Sequence, residues 1–300
     1  MSWVVYAFSG PVLWAVSVHF DKYLVERFFK HSDVAVLLVF TAFIGVLLLP
    51  FIWLFDPDLT APGGAGIALI IASGILLMGA LLFYLRALQT EEASVVAPFF
   101  QAAPLFGYGL AYLVLGETLS GRQMAGGGLI VIGTLIVSID HRAGAFKARL
   151  AALMLACGFT IALSALIFKI FAVATEFWTT TFWMFVGEAM FGCGLLAVPS
   201  YRGQLAAALR HHAAALLSIN GANELINLGG GLGNRYALMF APLSLVQAIG
   251  STTTLFVFGF GVLLSRFFPK LGREDLSGRK LAQKAVAAAL VALGVALITR

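Results

Sequence analysis

One apolar stretch carries groups able to bind a ligand or move a proton. In Ser218 to Arg235, SINGANELINLGGGLGNR, residues Asn220, Glu224, Asn227, Gly231 and Asn234 recur at intervals of three and four, a spacing that puts them on one stripe of an α-helix. The stripe offers a carboxylate with amides about one turn to either side. A carboxylate there can recognise an ammonium or hydroxyl group or carry a coupling proton, and the amides can donate to either of its oxygens and fix its direction without adding charge. Facing hydrocarbon, the ionised carboxylate alone would cost about 2.5 to 3.5 kcal/mol. The stripe is therefore expected to face protein or a water-filled path. The plainer reading is a polar group that glues helices together, but one interhelical hydrogen bond contributes only about 0.6 kcal/mol, and three polar groups exceed that need.

Other candidates are spread along the chain. Glu188 lies in FVGEAMFG with Thr181, Phe185 and Gly192 on its face; it either lines a site or pairs with Lys169 as a structural bridge. Gln101, Tyr108 and Tyr112 share one helical face, and Gln247, Ser251, Thr254 and Phe258 share another, so the two faces would give aromatic walls with a few hydrogen-bonding groups, the usual lining of a small-molecule site. Ordinary packing is the competing explanation for these aromatics. Trp14 and Ser17 are further candidates, and Asp21 with Lys22 reads as an interfacial pair or gate element. Glycines at Gly126, Gly127, Gly128, Gly133, Gly229 and Gly233 read as close-packing surfaces, and Gly229 to Gly231 offer a place for a helix to loosen. Cys157 and Cys193 have no second cysteine or histidine at ligand spacing, and the five histidines fall at or near connections. No metal, cofactor or enzymatic constellation is expected.

The elements that must hold these residues are transmembrane helices. Of the 300 residues 61% are hydrophobic and 11% charged, with a mean hydropathy of +0.97, where soluble chains are about a quarter charged. Apolar runs able to cross about 30 Å of hydrocarbon fall at roughly 3–24, 34–55, 65–86, 93–115, 122–139, 149–174, 178–199, 213–235, 240–264 and 281–299. The fold class is an all-α polytopic membrane protein with ten transmembrane helices. At an offset of 150, Ala87-Leu88, Ser94, Val96, Leu105-Phe106 and Gly109 recur as Ala237-Leu238, Ser244, Val246, Leu255-Phe256 and Gly259, and Leu119-Ser120-Gly121-Arg122 recurs as Leu276-Ser277-Gly278-Arg279. Ser17 and Lys22 likewise match Ser164 and Lys169. Two five-helix halves, 1–140 and 141–300, follow. Five is odd, so the second half enters from the opposite side, the inverted-repeat plan of secondary transporters, whose site lies near the midplane.

With these residues in view, the chain resembles the drug/metabolite transporter superfamily and its EamA-type ten-helix members. The likeness rests on Pro104 followed by Leu-Phe-Gly-Tyr-Gly, on Leu115-Gly116-Glu117-Thr118-Leu119, and on the glycine-rich span Gly126 to Gly133. The second half departs from this pattern, with Arg266-Phe267-Phe268 where the first has Gly116-Glu117-Thr118. The resemblance implies a membrane transporter and no enzyme. The expected activity is alternating-access transport of a small polar or zwitterionic metabolite, such as an amino acid or amine, with a proton as an optional coupling ion. The alternative is a flippase for a lipid-linked sugar or other lipid headgroup. Membrane lipids are expected partners and nucleic acid is not; the chain is expected in the inner membrane as a monomer or homodimer.

Lysine and arginine crowd the connections after odd-numbered spans, from Lys22, Arg27 and Lys30 to Lys270, Arg273 and Lys280, against only Arg122, Arg235 and Arg300 opposite. By the positive-inside rule both termini lie outside the cytoplasm. Reporter fusions at Arg300 are expected to report a non-cytoplasmic C-terminus; activity of a cytoplasm-specific reporter there would reverse the orientation.

Overall fold

Hydrocarbon offers no partner for backbone N–H and C=O groups, so an apolar chain that crosses it must close its hydrogen bonds within each segment. The computed structural model describes residues 2–28, 33–55, 58–90, 102–138, 148–267 and 278–299, and every regular element among them is helical. In order these are α1 (Ser2–Phe28), α2 (Ala35–Ile44), a 3-10 turn (Gly45–Leu48), α3 (Leu49–Phe55), α4 (Gly63–Thr90), α5 (Ala103–Leu115), α6 (Gly121–Ser138), α7 (Ala148–Ala174), α8 (Phe177–Ala197), α9 (Pro199–Leu238), α10 (Leu243–Gly250), α11 (Thr253–Phe267) and α12 (Gly278–Thr299). A helix stands at each expected span. Among the described residues, six segments are long and apolar enough to cross a membrane by length and composition. The protein is a multi-pass membrane protein.

Two elements depart from the sequence expectation. The eighth span was expected at roughly 213–235, separate from one ending near 199, yet α9 runs unbroken for 40 residues from Pro199. Pro199 suits the first turn, where its missing N–H has no partner to lose, and the Ala- and Leu-rich stretch after Gly203 carries the helix on. At 1.5 Å per residue α9 is about 60 Å long, so it extends beyond the bilayer core. The helix break falls in the ninth span, between α10 and α11, while α9 passes through Gly229 to Gly231 without interruption. At the break Ser251, Thr252 and Thr253 turn their hydroxyls back onto the carbonyls of Ala248, Ile249 and Gly250 at 2.6 to 2.7 Å, competing with the helical backbone bonds.

The helices pack in matched pairs. Taking α2 with α3 as the second span and α10 with α11 as the ninth, the first lies along the eighth and the third along the sixth; the third meets the seventh and the second the eighth. The first also meets the ninth and the sixth the fourth, while the second meets the seventh, the fourth the ninth and the fifth the tenth. Small residues set the close approaches. A Cβ on Gly187 of α8 would lie 2.1 Å from the Ile71 carbonyl oxygen of α4, and one on Gly74 would lie 2.2 Å from that of Met184. Gly126 and Gly133 of α6 meet α12 in the same way, at Gly294 and Ala287, as expected of packing glycines, whereas Gly128 has open space around it.

Backbone cannot yield as a side chain can, so Gly187→Val is expected to lower the unfolding midpoint of the detergent-purified protein by several degrees or abolish folded yield. Gly194→Ala, on the same helix with nothing nearby, is the control expected to leave the midpoint unchanged.

Candidate functional site

The polar stripe of α9 lies against α1 and α2. α1 packs tightly there because α9 offers glycines: a Cβ on Gly230 would sit 3.1 Å from Trp14 Nε1 and 3.2 Å from Leu13 Cβ, and one on Gly10 would lie 3.2 Å from Asn234 Cβ. Trp14, a candidate, is thus a half-buried packing residue beside the stripe. Two turns farther along, Asn223 Nδ2 donates to Asp21 Oδ1 of α1 at 2.7 Å. Asp21, expected with Lys22 to be an interfacial pair or gate element, is tied into the bundle by this amide, which the stripe did not include; the side chain of Lys22 lies outside the described residues.

Glu224 is 2% exposed and Asn220 fully buried. Thr41 of α2 donates its hydroxyl to Glu224 Oε1 at 2.7 Å. Glu224 Oε2, both polar atoms of the Asn220 amide, Asn223 Oδ1 and Ser17 Oγ have no hydrogen-bond partner. Buried polar atoms are normally paired, and each one left bare costs about 1 to 3 kcal/mol. A cluster of them is where a ligand or water would bind. Asn227, the next turn of the stripe, is half-buried. Below the stripe the bundle turns apolar, with Leu24, Leu37 and Leu216 packed together from α1, α2 and α9.

Two ion pairs stand on the other side of the stripe. Glu188 does not pair with Lys169: its Oε1 accepts from Arg235 Nη2 of α9 at 2.5 Å. The Arg235 guanidinium also lies over the rings of Phe168 and Phe185, at 5.9 and 5.1 Å from their centroids, a cation–π arrangement. Lys169 instead pairs with Glu117 and donates to the Ala241 carbonyl at 2.7 Å. Glu117 Oε2 further accepts from Leu243 N, at the start of α10, at 3.1 Å. The turn that delivers Glu117 depends on Gly116, which ends α5 in the left-handed conformation (φ 63°) that glycine adopts without strain. Glu117 N then bonds back to Ala111 O at 3.2 Å. The Leu-Gly-Glu segment is thus a helix stop followed by an acid that joins α5, α7 and α10.

The fourth and ninth spans touch directly. Gly107 of α5 leaves room for the side chain of Gln247 on α10, whose amide has no partner. Among the remaining candidates, Gln101 lies outside the described residues. Tyr112 is 54% exposed, on the outward face with Leu105 and Leu113, and so stands outside the buried cluster; Tyr108 is half-buried, its ring 6.3 Å from that of Tyr112. Ser251 is buried and closes the α10 break, and Phe258 is half-buried on α11. His19, expected in a connection, lies on α1 with its ring nitrogen 3.0 Å from the Val257 carbonyl oxygen. Thr41, Asn223 and Arg235 are the residues that the sequence reading missed. Asn223 was visible as the second amide of Asn-Glu; a lone threonine in an apolar run and an arginine at a span end carry no such signal.

The model of the EamA-like transporter family matches residues 1–139. Those residues, just under half of the chain, are thus similar to that family. The match agrees with the sequence resemblance to EamA-type members of the drug/metabolite transporter superfamily. An uncharacterised protein of Methanocaldococcus jannaschii is 39% identical over 72 residues, 24% of this chain and 52% of that protein; the match thus spans about half the length of that relative. A protein of known crystal structure, 16% identical, superposes with a TM-score of 0.65 over 99% of this chain and 96% of its own, which shows a common fold across the whole chain.

Removing one partner of a buried ion pair strands the other charge, at about 3 to 5 kcal/mol. Arg235→Met is expected to destabilise the detergent-purified protein markedly, and adding Glu188→Gln to restore much of the loss. Equal midpoints for the single and double variants would mean that the pair is not coupled.

Proposed function

We propose that this EamA-like protein is a secondary transporter of a small polar metabolite, an amine or amino acid, working by alternating access, with Glu224 as the main ionisable group of its path. The observation that carries the reading is Glu224 itself: a buried carboxylate on a spanning helix, held by Thr41 through one oxygen and bare on the other. Asn220 and Asn227, a turn to either side, orient the group and offer neutral donors to a substrate. The halves 1–140 and 141–300 are proposed as the rocking units; their matched helix pairings support this, since a twofold relation requires each contact to have its mate. Both termini are placed outside the cytoplasm in this reading, in an inner membrane.

A counterflow screen of amines and amino acids in proteoliposomes tests the proposal. Glu224→Gln is expected to fold and insert as the wild type does, because the amide preserves shape, and to abolish pH-dependent transport. Glu224→Ala is expected to lose substrate binding as well. Unchanged rate and pH profile in Glu224→Gln would make the carboxylate structural and pass the role to Glu188.

A further inference from the structure

We propose that the cluster between α1 and α9 takes the cationic, N–H-bearing end of an organic amine, and that Asp21 is a second charge-selecting residue of that site; the proposal rests on reading the α9 stripe as the transport site and narrows its substrate class. The argument begins with which hydrogen-bonding groups are already used. Thr41 has one hydroxyl proton, and it goes to Glu224 Oε1. The Asn223 amide turns its N–H to Asp21 Oδ1, which leaves its own Oδ1 bare. The atoms left over around the two carboxylates are Glu224 Oε2, Asn223 Oδ1 and Ser17 Oγ, with Ser17 one turn from Asp21 on α1. All three accept hydrogen bonds, and the carboxylate oxygen and the amide oxygen can do nothing else. The Asn220 amide adds one neutral donor group.

Charge points the same way. Asp21 lies within electrostatic reach of Glu224, and the ion pairs described elsewhere in the bundle involve neither carboxylate; the side chain of Lys22 lies outside the described residues. Glu188 and Glu117, by contrast, each hold a cation. Arg235 and Lys169 are committed to those partners and to the Phe168 and Phe185 rings or the Ala241 carbonyl. A substrate carboxylate would meet two acids of its own sign, while the nearby cations Arg235 and Lys169 are already engaged. An ammonium brings three donors, no acceptor and the missing positive charge, and opposite charges in a poorly solvated site attract far more strongly than in water. The site thus selects cations over zwitterions, anions and neutral alcohols.

The test measures binding to the detergent-purified full chain by tryptophan fluorescence, with two matched sets of probes: butylamine, butanol, butyrate and γ-aminobutyrate, then phenethylamine, phenylethanol, phenylpropionate and phenylalanine. In at least one set the amine is expected to bind about tenfold or more tighter than its three partners, about 1.4 kcal/mol. Asp21→Asn is expected to weaken the amine by about tenfold and to leave the alcohol unchanged, with Asp21→Glu recovering most of the loss. An amino acid, carboxylate or alcohol that binds as tightly as the amine overturns the proposal, as does a folded Asp21→Asn with unaltered amine affinity or a protein that binds none of the eight probes. Should Asp21→Asn fail to fold, the wild-type ranking decides. Glu224→Gln separates the two readings: if the tightest probe is not an amine yet needs Glu224, only the charge selection fails, and if no affinity depends on Glu224, the transport-site reading fails with it.

Discussion

The arrangement depends on one constraint: a charged or polar group inside an apolar bundle must find a partner within the protein. α9 concentrates that demand, with Asn220, Asn223, Glu224, Asn227, Asn234 and Arg235 on a single helix. The neighbouring helices answer it unequally. α8 supplies Glu188 for Arg235 and α1 supplies Asp21 for Asn223, while Thr41 of α2 satisfies one oxygen of Glu224. Asn220, Asn223 Oδ1 and Glu224 Oε2 stay unsatisfied in the middle of the stripe, between an apolar plug of leucines and the Glu188–Arg235 pair. A fully satisfied bundle would be a stable structure with nothing to bind.

Glycine makes that contact possible. Gly229 and Gly230 let Leu13 and Trp14 close on α9, and this closeness carries Asp21 within hydrogen-bond reach of Asn223. At the other end Gly116 does different work, turning the chain through a left-handed conformation so that Glu117 can join Lys169 and the start of α10. This latch links the segment carrying Glu117 to α7 and to the start of α10. Any motion that separates those segments has to break a charged hydrogen-bonded link.

The sequence by itself determined the class and the positions of the spans, because long apolar runs have only one way to cross hydrocarbon. It also determined that Glu224 and its amides share a stripe, since helical periodicity is a local property. The likeness of residues 1–139 to the EamA-like family was legible in the Leu-Gly-Glu segment and the glycine-rich span. Partners were not legible. Glu188 holds Arg235 and Lys169 holds Glu117, and no periodicity could have ordered those four charges, because which carboxylate meets which cation depends on how helices distant in sequence cross. Thr41 and Asn223 became site residues for the same reason. Where the helices yield was also decided in three dimensions: three glycines in α9 stay helical, pressed against α1, while three hydroxyl residues in the ninth span open the backbone by bonding it themselves. Propensity names the residues that are able to bend a helix; the packing around each one decides which of them does.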